Sequence, residues 1–192
     1  MKYLSALLML ILMGTSIAAN APALPGDSLY QLKVKLTARD GSRPRLDQLR
    51  GRPVLISMFY ASCGGICPAV AFNMRRMEAA LTPEQRQNLR SVMVSFDPAH
   101  DDQAALGKFA RDNKLEDPRW IVARTPLSSV RELAAALRFR YRELPGGGFS
   151  HSTIITVLDA DGVVRARTSD LAQLDPEFMR VLSAMTSTKV QP

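Results

Sequence analysis

The stretch from Val54 to Leu81 reads VLISMFYASCGGICPAVAFNMRRMEAAL, and it decides the fold. VLISMFY (54–60) is a continuous apolar run of strand length, suited to a central strand buried on both faces. Downstream, Val70, Met74, Met77 and Leu81 recur at helical spacing, and Pro68 suits a first helical turn. Between strand and helix lie Cys63 and Cys67, the only two cysteines of the chain, with three residues between them.

Working outward, the same alternation of strand and helix continues. YQLKVKLTARDG reads as a strand or hairpin arm ended by Asp40-Gly41, and SRPRLDQLRGRP as a polar connection with a short LDQL turn. SVMVSF (91–96) is a strand, DPAHDDQAALGKFARDN a helix capped near Asp101, and RWIVA a further strand. Pro126 to Phe139 forms a helix with Val130, Leu133, Ala134 and Leu137 on one face. HSTIITVLD, DADG and VVRARTS make a hairpin, and DPEFMRVLSAMT a closing helix. This order predicts an α/β fold with a central mixed sheet and helices on both faces, in one domain spanning 25–190.

The N-terminus stands apart from that domain. Residues 1–21 carry one cation, Lys2, an apolar run from Tyr3 to about Met13, then small residues, which is the pattern of a secretory signal. The strictly apolar run of about 11 residues is short against the roughly 20 of a bilayer span. Export with cleavage is therefore expected, placing the domain in a periplasmic compartment. The alternative is a retained N-terminal anchor that holds it at the inner membrane, facing the periplasm.

The chain has 192 residues, 46% hydrophobic and 22% charged, enough for one core that needs no disulfide staple. Two cysteines in such a core point to chemistry rather than scaffolding. The net charge of +7 comes mainly from arginines scattered along the sequence. With no concentrated basic patch and few aromatics, nucleic acid is not an expected partner. A diffuse positive field suits acidic proteins or membrane surfaces instead.

A helix N-terminus stabilises thiolate, which is both a nucleophile and a soft-metal ligand. With Cys67 in the first helical turn, Cys63 is four residues before it, so both sulfurs can face one side. The spacing allows either a reversible disulfide or a metal pincer. Two thiolates are too few for a closed zinc site, and the chain offers only two histidines, His100 and His151. His100 lies among acids at a helix start, where a solvated histidine is expected. His151 follows the glycine-rich LPGGGFS loop and opens a strand, a junction that can bring it over the cysteines. Two thiolates and one imidazole suit copper, Cu(I) or Cu(II), better than magnesium, calcium or structural zinc. Met74 and Met77 fit the core face of the helix and are read as packing.

FYASCGGICP, SFDPAHDD and FSHSTIITVLDADG, in that order, resemble the Sco/SenC family of copper metallochaperones, over roughly residues 25–188. The resemblance implies a thioredoxin-like fold and a role in assembling the dinuclear CuA site of respiratory oxidases. By it, Cys63, Cys67 and His151 correspond to the copper ligands. Asp97 corresponds to an aspartate near the site that orients ligands or affects thiol ionisation; locally it reads equally as a turn-forming Asp-Pro. Such relatives commonly carry proline and an acidic residue between the cysteines, where this chain has Gly64, Gly65 and Ile66.

The implied function is an exported copper-binding chaperone, not an enzyme in the turnover sense, whose partner is the CuA domain of a respiratory enzyme or another periplasmic copper protein. The alternative is a thiol–disulfide oxidoreductase that reduces the cysteines of such a target, with Cys63 attacking and Cys67 resolving. A peroxidase on the same fold would need a peroxide-positioning Thr and Arg set upstream of its reactive cysteine, and nothing in this chain resembles one.

Overall fold

The computed structural model describes residues 23–187. The predicted signal segment, 1–21, lies outside them. Six strands form one sheet in the order β1-β4-β3-β2-β7-β8. They are β1 (Thr37–Ala38), β2 (Val54–Phe59), β3 (Arg90–Ser95), β4 (Trp120–Arg124), β7 (Ile155–Leu158) and β8 (Val164–Thr168). β5 (Tyr141–Glu143) and β6 (Phe149–His151) pair as a separate ribbon. The helices are α1 (Ile66–Ala79), α2 (Pro83–Asn88), α3 (Gln103–Asp112), α4 (Leu127–Leu137) and α5 (Pro176–Ser187). Among the described residues no helix is long and apolar enough to cross a membrane.

Strand β2 is buried along its whole length, and its one polar residue, Ser57, donates to the carbonyl of Ile154 at 2.8 Å. Because side chains alternate along a strand, Leu55 and Phe59 face one layer and Val54, Ile56 and Met58 the other. The first layer receives Val70, Met74 and Met77 of α1, Phe109 of α3, and Phe178 and Leu182 of α5. The second receives Val130, Leu133 and Leu137 of α4 together with Tyr30 and Leu46. Met74 and Met77 are fully buried, and each such side chain contributes roughly 1.5–3 kcal/mol by leaving water.

The topology fixes where chemistry can sit. β2, β3 and β4 are parallel, so the loops after β2 and β3 emerge side by side at one edge. β7 runs antiparallel to β2, with Ser57 opposite Ile155 and Val54 opposite Leu158. Its starting end therefore lies at the same edge as the end of β2. The chain entering β7 is thus delivered to the loop that holds the cysteines.

Several local expectations needed correction. YQLKVKLTARDG yields a 3-10 turn at Leu29–Leu32 and only the two-residue strand β1. Its side chains insert into the second layer instead of extending a ladder. The helix after Cys67 stops at Ala79, and Thr82 starts α2 with a reciprocal cap, Thr82 and Gln85 each bonding the other's backbone N–H. The cap expected at or near Asp101 is Asp102, which accepts from the N–H of Ala105 at 2.8 Å. HSTIITVLD is not one strand, because the chain leaves the ribbon at His151 before joining the main sheet at Ile155.

The turn joining β7 to β8 packs against the second layer at Gly162, whose φ is +80°. A Cβ there would lie 2.7 Å from the ring of Tyr30, itself buried. Gly162→Ala combines left-handed strain with overpacking, for an expected loss of about 2 kcal/mol or more. A lowered urea midpoint with an unchanged slope is the predicted signature, whereas an unchanged midpoint would contradict this packing.

Candidate metal centre

Cys63 lies in the turn that leaves β2, its N–H bonded to the carbonyl of Tyr60 at 3.3 Å. Cys67 lies in the first turn of α1, completely buried. The free N–H groups of a helix start need acceptors, and here one is a sulfur: Cys67 N–H donates to Cys63 Sγ at 3.4 Å. The backbone of Gly65 also favours the ionised form of that sulfur.

Those contacts divide the two thiols. Burial opposes ionisation of Cys63, but backbone donors at Gly65 and Cys67 outweigh it and lower the thiol to about 7. Burial pushes Cys67 the other way, well above the ordinary thiol range, reinforced by the neighbouring Cys63. One sulfur is a thiolate near neutrality and the other holds its proton unless a cation replaces it.

His151 ends β6 and reaches the same place from the far side of the sequence. Its Nδ1 lies 2.9 Å from the carbonyl of Ser152. A carbonyl only accepts, so Nδ1 carries a proton, and in the neutral ring Nε2 presents its lone pair, 3.5 Å from Cys67 Sγ. The ring is held by aromatic neighbours, stacked on Phe139 at 5.7 Å and edge-on to Tyr60 at 5.8 Å. The two sulfurs and the imidazole donor all lie within 4.8 Å of one another. This is the one cluster of three metal-ligating side chains among the described residues.

The loop after β3 supports the cysteine turn through a residue that the sequence did not single out for this purpose. Asp101 is 1% exposed, and its carboxylate accepts from the N–H of Ala61 at 2.9 Å and from the hydroxyl of Ser95. It therefore ties the turn two residues before Cys63 to the end of β3. Burial raises the pKa of this carboxyl. The signal was its place in DPAHDD, which reads as a helix cap until Asp102 is seen to take that role. Asp97, the acid singled out by resemblance, accepts instead from His100 Nδ1 at 2.9 Å. His100 itself is exposed, as expected, with its side chain 78% accessible.

Together these features define a thioredoxin-like domain whose strand-to-helix junction carries a cysteine pair, completed by a histidine from a neighbouring hairpin. The chain belongs to the SCO1/SenC family, whose model matches residues 24–186. A Stutzerimonas stutzeri protein described as a candidate copper-binding protein is 25% identical over 179 residues, covering 83% of this chain and 86% of that protein. The structure of Bradyrhizobium japonicum ScoI with copper bound is similar at a TM-score of 0.67 and 20% identity, over 79% of this chain and 96% of that one. Yeast Sco1 with copper bound gives a TM-score of 0.66 at 17% identity, over 81% and 88% of the two chains.

The divided cysteine pair has a direct test. Alkylation of the reduced protein by iodoacetamide should occur at Cys63, with a rate that rises through pH 7 as thiol becomes thiolate and levels off above about pH 8. Cys67 should react only after unfolding. A profile centred on the free-cysteine value of about 8.5, or labelling of Cys67 first, would contradict the assignment.

Proposed function

We propose that this chain is an exported copper metallochaperone that binds copper through Cys63, Cys67 and His151. The observation that carries the reading is the convergence of two sulfurs and an imidazole nitrogen of His151 within 4.8 Å. Two thiolates satisfy Cu(I), and adding the imidazole satisfies Cu(II), so one site can hold the cargo in either state. Binding releases the Cys67 proton, which offsets the burial that otherwise keeps that sulfur neutral. A Cys63–Cys67 disulfide cannot hold the metal, so the dithiol is also a switch. The N-terminal segment supports a periplasmic location, either free after cleavage or anchored to the inner membrane. The recipient is a CuA-type site of cytochrome c oxidase or a related respiratory enzyme, in keeping with the family.

A second reading, thiol–disulfide exchange with the cysteines of such a recipient, is favoured by the asymmetry of the pair. An attacking thiolate at Cys63 and a buried partner at Cys67 are what a dithiol reductant requires. The two readings are compatible on one site, since a recipient must be reduced before it can accept copper.

Copper titration of the reduced protein tests the leading reading. The wild type should take up one equivalent of Cu(II) with thiolate-to-copper charge-transfer absorption. His151→Ala should lose Cu(II) affinity by more than the 10–100-fold typical of removing an outer hydrogen-bond partner, while keeping Cu(I) on the two thiolates. Weak Cu(II) binding by both proteins would overturn the proposal.

A further inference from the structure

A cleft of about 610 Å³ opens beside Cys63, between the start of α1 and the exposed side of α3. Pro68, Ala105 and Phe109 give it an apolar lining, and Cys63 and His100 both lie on its wall. A disulfide approaching the sulfur of Cys63 through this cleft would pass the imidazole of His100. Cys67 and His151 do not line it, so the cleft serves Cys63 alone.

His100 is not an ordinary surface histidine. Both carboxylate oxygens of Asp97 lie 2.9 Å from its Nδ1, and Asp97 is itself buried. The carboxylate accepts, so Nδ1 carries a proton and the exposed Nε2 is the exchangeable position. The hydrogen bond and charge of Asp97 raise the imidazole pKa, with smaller contributions from Asp101 and Glu143. The protonated ring at the cleft wall is thus stabilised relative to that of an unpartnered surface histidine. The same carboxylate fixes the ring, as the aspartate does in a Ser-His-Asp arrangement.

Building on the thiol-exchange reading, we propose that His100, held by Asp97, is the general acid that protonates the thiolate expelled when Cys63 attacks a disulfide. The Cys63 thiolate attacks one sulfur of R–S–S–R′, forming a Cys63–R mixed disulfide and breaking the S–S bond. The electron pair leaves on R′S⁻, and His100 Nε2–H gives it a proton, leaving neutral imidazole on Asp97. Cys67 then attacks Cys63 Sγ, expelling the second thiolate, which takes the proton Cys67 gives up. The pair is oxidised by two electrons and the disulfide is reduced to two thiols. The substrate class is a disulfide with an alkyl leaving thiol, as in a protein, whose basic thiolate gains from a proton donor.

Leaving-group chemistry supplies the test. Reduced wild-type and His100→Gln proteins are each reacted near neutral pH with oxidised glutathione and with dithionitrobenzoate. Glutathione leaves as a basic alkyl thiolate that benefits from an acid, whereas the aromatic thiolate departs without one. The ratio of the glutathione rate to the aromatic rate should fall about 10- to 100-fold in His100→Gln. Equal slowing on both disulfides, or an unchanged ratio, overturns the proposal while leaving the exchange reading standing. A wild type that reduces neither disulfide overturns the exchange reading and the proposal with it.

Discussion

A backbone N–H at the first turn of α1 points at the sulfur of Cys63, and the rest of the site depends on that contact. It exists because β2 is buried and ends where α1 begins, leaving a helix start with unpaired donors beside a thiol. The donors lower the Cys63 pKa, while the burial that makes β2 a central strand raises that of Cys67. Two cysteines four positions apart thereby become chemically unequal. The fold supplies this inequality through backbone donors on one sulfur and burial of the other.

The second constraint is directional. Because β7 runs against β2, the residues entering β7 return to the cysteine edge, bringing His151 from 84 positions away in sequence. The imidazole is then fixed by Phe139, Tyr60 and Ser152, so its free nitrogen faces the sulfurs. Asp101 anchors the other side of the junction through Ala61. A metal site built this way keeps its ligands on separate elements, two on the rigid strand-to-helix junction and one on a hairpin with a glycine-rich tip.

Much of this was legible in the sequence for physical reasons. The largely apolar run of 54–60 marked a buried strand, and the helical spacing of Val70, Met74 and Met77 a core-facing helix, although Leu81 falls just past its end. With two cysteines and two histidines in the whole chain, the search for a soft-metal cluster was nearly closed from the start. What the sequence hid was tertiary. The short ribbon of β5 and β6 has no alternating apolar signal, since its aromatics pack on Phe96 and Tyr60 rather than on a sheet face. Asp101 and Asp102 are adjacent acids, and only the path of the chain decides that one caps α3 while the other turns inward to the cysteine loop. Gly64 and Gly65 also read differently in three dimensions. A Cβ at either would meet nothing within 4 Å, so neither glycine is demanded by packing.

The central claim is that two sulfurs and one imidazole from this chain bind one copper ion. X-ray absorption at the copper edge, recorded on the reduced protein loaded with one equivalent of Cu(II), tests it most directly. The account predicts two sulfur scatterers and an imidazole signature, with the imidazole signature lost in His151→Ala and one sulfur lost in Cys67→Ser. A wild-type spectrum with fewer than two sulfurs, or one unchanged by His151→Ala, would contradict it.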